Sequence, residues 1–145
     1  MRIPWYLNAL CAALIWGIHY PLVDHALRKV SLVAVLLLTA LPIVLIAPFF
    51  HKTLAADYQA LRHMGWGVKG PILALALTSL LGSVLLFLSI HGKNATLASL
   101  IEITYPLFVA LFAWLLFRHV HFDLTAVAGA MLIFAGAGLI ILSNP

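Results

Sequence analysis

The run ASLIEITYPLFVALFAWLLF, Ala98 to Phe117, holds one charged residue in twenty, Glu102. A helix of about 20 apolar residues is about 30 Å long, the thickness of the hydrocarbon core of a bilayer. The run therefore predicts a membrane-crossing helix. It also poses a question, because the acid inside it stands four residues before Pro106.

The rest of the chain agrees with a lipid solvent. Of its 145 residues 65% are hydrophobic and only 8% are charged, with a mean hydropathy of +1.14. A water-soluble domain needs about a quarter of its residues charged to cover its surface, so a soluble fold is excluded. The net charge of +4 is spread over short connectors and forms no basic stripe. That argues against nucleic-acid binding and suits anionic lipid headgroups. Cys11 is the only cysteine, so no internal disulfide can form. Arg2 followed by an apolar run resembles a secretory signal. No small-residue cleavage site follows it, and Leu10 is too bulky for a lipoprotein-type site before Cys11, so the segment reads as a retained helix.

Five segments are long and apolar enough to span: Trp5 to Val23, Ser31 to Phe50, Pro71 to Ile90, Ala95 to Phe117 and Leu124 to Leu142. Only the fourth contains an Asp, Glu, Lys or Arg. Asp24 to Val30, His91 to Asn94 and Arg118 to Asp123 read as tight turns between antiparallel helices. Between His51 and Gly70, Leu54, Tyr58 and Leu61 recur at helical spacing. That pattern is compatible with a short helix on the membrane surface, closed by Gly65 and Gly67, and equally with a polar loop.

Lys and Arg give the orientation. The side of the N-terminus carries Arg2, Lys52, Arg62, Lys69 and Arg118, and the other side Arg28, Lys29 and Lys93. Five against three favours a cytoplasmic N-terminus, by a margin small enough to suit a chain that inserts both ways up. An odd number of spans puts the two ends on opposite sides. Two such units together make inverted repeats about an axis in the membrane plane, with substrate held near the midplane. The chain contains one such unit.

Ile15-Trp16-Gly17, the run from Asn94 to Phe117 and the glycine-rich run from Gly129 to Ile141 together resemble an EamA domain, the repeat of the drug/metabolite transporter superfamily. The resemblance covers roughly residues 5 to 143 and rests on order, spacing and helix count. Gly129, Leu132, Ile133 and Gly136 also resemble the dimerisation helix of small multidrug resistance transporters. The family often has Gly-Glu-Arg after its fourth helix, where this chain reads His119-Val120-His121, so no role of that Glu carries over. The resemblance implies a multi-pass protein of a cell membrane, of the bacterial or archaeal inner-membrane kind. It implies an exporter of metabolites or drugs, usually of ten helices, so a five-helix member needs a partner copy.

Glu102 is the first candidate for chemistry. A charge at a helix centre costs roughly 2.5–3.5 kcal/mol, and a neutral acid costs less. An acid placed there is expected to take up and release a proton. Proton and substrate would compete for one carboxylate, which is what coupled exchange requires. Pro106 has no N–H to give to the carbonyl of Glu102, so a backbone acceptor is freed at the same residue. Ser99 stands one turn earlier and Tyr105 three residues later. The structural alternative is a neutral acid bonded to a neighbouring helix, holding the bundle together.

In the first helix Pro21 frees the carbonyl of Gly17, with His19 and Tyr20 between them. Asn8 and His19 are three turns apart and share a face with Trp16. An aromatic lining of this kind suits flat or cationic organic molecules. Trp16 and Tyr20 serve equally well as packing or interfacial residues. Pro42 frees the carbonyl of Leu38 with no polar side chain nearby, and reads as a kink. His119, His121 and Asp123 alternate in one loop, but nothing completes a metal site, and no metal or cofactor is expected. Asn94-Ala95-Thr96 fits a glycosylation sequon too close to a membrane helix for modification. Gly129, Gly136 and Ser143 recur every seven residues, and Ala126 and Ala130 add a small pair. Such faces let helices approach closely in lipid, against either another copy or the fourth helix.

These readings converge on an all-α membrane protein of five spanning helices that forms one domain. The expected function is secondary active transport of small organic molecules, proton-coupled, by an antiparallel homodimer. Glu102 would couple, and Ser99, Tyr105, Trp16, His19 and Tyr20 would line the path. Gly17, Pro21 and Pro106 would be helix breaks, and Gly129 and Gly136 dimer packing. The alternative is a non-transporting accessory subunit of a larger membrane complex. No paired acids or nucleophile with a base point to an enzyme.

Overall fold

A computed structural model describes residues 4–118 and 124–144, all helix and short connections. Helix α1 spans Trp5–Leu27, and α2 spans Leu32–Ile46. A 3-10 turn, Ala47–Phe50, leads into α3, His51–His63. Then come α4, Trp66–Gly92, and α5, Ala95–Glu102. The last two are α6, Tyr105–Phe117, and α7, Leu124–Ser143. Among the described residues five helical stretches are long and apolar enough to cross a membrane, with α2, the 3-10 turn and α3 counted as one and α5 and α6 as another. The expected turn at Arg118 to Asp123, with the loop histidines His119 and His121, lies outside the described residues beyond Arg118.

Local chemistry sets the ends. Ser31 caps α2 by accepting from the N–H of Ala34 at 3.3 Å, and Asn94 caps α5 by accepting from Leu97 at 2.8 Å. Both satisfy N–H groups that a helix start leaves orphaned. The side chain of the sequon asparagine is thus engaged in the fold. Pro48 falls in the first turn of the 3-10 segment, where α2 tightens before α3 begins. The amphipathic stretch is helical, and α3 runs on from that turn. Lys69 donates to the carbonyl of Arg62 at 3.2 Å, which serves one of the free acceptors at the end of α3. At the end of α6, Arg118 takes a left-handed φ of 57°. Its N–H reaches the carbonyls of Ala113 and Trp114, and its guanidinium lies 5.5 Å from the Trp114 ring centre.

Two expected boundaries need correction, and the break expected at Pro106 falls just before it. Helix α1 continues past Val23 to Leu27, because Asp24 and Arg28 pair at i,i+4, 3.0 Å apart, and keep a polar turn helical. Helix α4 starts at Trp66 rather than Pro71 and carries Pro71 inside it. The proline costs one hydrogen bond near the helix start, and Gly67 lies within α4 rather than closing α3. The fourth span is not continuous. It is interrupted at Ile103 and Thr104, between α5 and α6.

The chain divides into two compact units: Val23–His91, and the chain up to Leu22 together with Gly92 onward. In the first, Val23, Leu27, Val35, Phe87 and Ile90 are buried, a core of branched and aromatic side chains. In the second the buried residues are Ala95, Ala98, Ala130 and Ala137. There α5 packs on α7 through small side chains, which let two backbones approach closely. Phe108 of α6 meets Phe134 of α7 edge-on, with ring centres 6.3 Å apart. Most large hydrophobic residues are exposed. In water that surface would be untenable; in lipid it is the expected exterior.

Candidate functional site

The interruption of the fourth span places the acid. Pro106 cannot donate to the Glu102 carbonyl, and the chain tightens around that defect. The N–H of Thr104 turns back to the Ile101 carbonyl at 3.1 Å, and that of Leu107 to the Thr104 carbonyl at 3.1 Å. The Thr104 hydroxyl donates to the Ile101 carbonyl as well, at 2.9 Å. Ile103 and Thr104 are both β-branched, which lowers helix propensity where the ladder is already weak. Glu102 is therefore the last residue of α5, an eight-residue segment, roughly 12 Å along the helix from its start. The final carbonyls of α5 carry the negative end of its dipole. An ionised carboxyl there would add to that negative end.

Glu102 is half-buried and has a definite partner. The Tyr20 hydroxyl donates to its Oε2 at 2.7 Å, joining residues 82 apart in sequence. Tyr20 is half-buried too and belongs to an aromatic cluster at i, i+3, i+4 spacing on α1. Its ring centre lies 5.5 Å from that of Trp16 and 6.2 Å from that of His19. Trp16 and His19 meet edge-on at 5.0 Å. Trp16 is half exposed, at 50%, so part of its indole remains open beside the pair.

The other expected residues fall differently. Ser99 donates its hydroxyl to the Thr96 carbonyl at 2.9 Å, so that proton serves its own helix. Tyr105 opens α6 beyond the break and is exposed. Helix α1 runs without interruption through Gly17 and Pro21. The break expected there is a missing hydrogen bond inside a continuous helix. At Gly129 and Gly136 an added Cβ would meet nothing within 4 Å; Gly129 is exposed and Gly136 half-buried. The sequence pointed to Glu102 and Tyr20 separately and missed their pairing. It also missed Thr104, whose place two residues before Pro106 was the available signal.

In the Val23–His91 unit a cleft of about 140 Å³ is lined by Leu27, Val30, Ser31, Leu32, Leu88 and His91. It is below the roughly 300 Å³ at which organic-ligand pockets begin, and Ser31 is already committed to its cap. Among the described residues no group of three or more His, Cys, Asp or Glu could hold a metal ion. The alternating His119, His121 and Asp123 lie outside those residues.

The family model of the EamA-like transporter family matches residues 3–142. No curated protein matches the chain significantly, and neither does any solved structure.

Proposed function

Because the chain belongs to the EamA-like transporter family, we propose that it is a secondary active exporter of small organic metabolites or drugs, driven by proton exchange at Glu102. The observation that carries this reading is an acid at the end of a broken membrane helix. It sits within an apolar span, its own carbonyl left without a donor by Pro106, with an aromatic cluster on the helix it bonds to. Interrupted helices of this kind are where transporters hold ions and substrates. One carboxylate cannot bind a proton and a cationic substrate together, so the two alternate. Trp16, His19 and Tyr20 offer ring faces to an organic cation, with Ser99 and Tyr105 at the margins of the path.

The working form is an antiparallel homodimer, each copy one EamA-like domain. Five spans leave the two ends of a unit on opposite faces, so a second, inverted copy completes an inverted repeat. The exposed Gly129 and the half-buried Gly136, each with room for a Cβ, supply a face on which it can dock. The small excess of Lys and Arg on the side of the N-terminus is compatible with insertion in both orientations. Alternating access is rocking at the weak points next to Pro21 and Pro106.

The test is reconstitution in vesicles with an acidic interior that contain a pH dye. Membrane-impermeant organic cations and zwitterions are added outside. At least one compound is expected to discharge the gradient at a rate well above that of protein-free vesicles. Silence across the panel, with folded protein in the bilayer, contradicts an exchanger and favours an accessory subunit that acts on an unlike partner.

A further inference from the structure

We propose that the Tyr20 hydroxyl is a latch on the empty site, and that it blocks return of a carrier bearing neither proton nor substrate. This rests on the reading of Glu102 as the coupling acid. The bond is short, 2.7 Å, and ties α1 to the end of α5 within one compact unit. Both ends of it sit at weak points: Pro21 follows Tyr20 directly, and the Ile103–Thr104 turn follows Glu102. The Tyr20 ring lies against Trp16 and His19, with ring centres 5.5 and 6.2 Å away.

The strength of this bond depends on what Glu102 holds. An O–H donor to a carboxylate makes a bond roughly twice as strong as one between neutral groups. The latch is therefore tightest when the acid is ionised and empty. Protonation replaces the charged acceptor with a neutral one, and a bound organic cation competes for the same oxygens. Both loaded forms loosen the tie between α1 and α5, and only the empty form keeps it. The other titratable groups within one turn of the pair are His19 and Asp24 on α1 and Tyr105 on α6. Helix α7, which packs on α5, carries none.

The consequence is tight coupling. If the empty carrier returned freely, each protonated crossing would be followed by an empty one, and protons would leak with no substrate. A state-dependent bond slows that return alone, because ligands can bias a two-state equilibrium only through differential contacts.

Tyr20→Phe keeps the ring and its aromatic neighbours and removes the donor. In vesicles with an imposed pH gradient and no substrate, the variant is expected to leak protons about tenfold faster than the native protein, or more. The double variant Tyr20→Phe/Glu102→Gln is expected to be tight again. Infrared difference spectra of the same samples identify the Glu102 bands as those lost in Glu102→Gln, and these bands should move in Tyr20→Phe. Unmoved bands overturn the proposal, because the bond is then absent. A Tyr20→Phe protein as proton-tight as the native one overturns it too, as does a leak that survives in the double variant. If the native protein is inert toward every compound in the cation panel, the transport reading falls and takes the latch with it. A native protein that exchanges, beside a tight Tyr20→Phe variant, removes the latch alone.

Discussion

Glu102→Gln is expected to stop proton-driven exchange while leaving the protein folded. Gln has the size and shape of Glu, and its amide oxygen can still accept from the Tyr20 hydroxyl, which now donates at 2.7 Å. The bond between α1 and α5 can therefore form in the variant. What the amide cannot do is take up and release a proton at neutral pH. If Glu102 is the coupling group, the fall is on the order of a hundredfold or more, the scale on which a positioned proton carrier contributes. Discharge in acid-loaded vesicles then drops to the protein-free background, while thermal unfolding in detergent stays near that of the native protein. If Glu102 is a neutral structural acid, Gln replaces it with little loss and full exchange persists. That outcome would leave the family assignment standing and remove the mechanism.

Gly129→Leu is expected to separate folding from assembly. At Gly129 and Gly136 an added Cβ meets nothing within 4 Å in the chain, so a larger side chain has room within one copy. Replacing a helical glycine also raises helix propensity by up to about 1 kcal/mol. The single chain should be unharmed or slightly more stable. A partner packed closely on this face would be pushed away, at a cost of about 1–3 kcal/mol. That corresponds to roughly fivefold to 150-fold weaker dimerisation. Dilution in detergent micelles, read by energy transfer between labelled copies, measures it. An unchanged dimer would place the interface elsewhere and leave α7 as a lipid-facing helix. The buried small residues of α7, Ala130 and Ala137, lie about 100° around the helix from the two glycines. The helix thus sets a buried alanine face apart from the exposed Gly129.

How much of this was legible in advance follows from which forces act locally. Five spans were readable because crossing lipid requires a length and a hydropathy, both properties of a continuous stretch. Their ends were less readable. Hydropathy stops at the first charge, whereas a helix stops where its hydrogen bonds do. Asp24 and Arg28 mark the difference, since their pairing lets α1 run on through a polar turn. The weak point at Pro106 was visible, because a missing N–H is a property of the residue. That it would part the span into α5 and α6 depended on Thr104, whose hydroxyl and N–H both turn back to Ile101. Ser99 stood at the right spacing for the site, yet its own helix took its proton, a competition that Ser and Thr commonly present. The partner of Glu102 was the least legible feature. Tyr20 lies 82 residues away, and nothing in either segment says that α1 and α5 adjoin.

The central claim is a carrier built from two inverted copies, and topology tests it without knowledge of a substrate. With Cys11→Ser and Asn144→Cys, a single thiol marks the end of α7, where Asn144 is exposed. An impermeant thiol reagent is applied to whole cells before and after the membrane is opened. The account predicts that about half of the sites react from outside and the rest only after opening, as equal insertion in both orientations requires. Labelling confined to one side would contradict it, because no antiparallel pair of this chain can then exist.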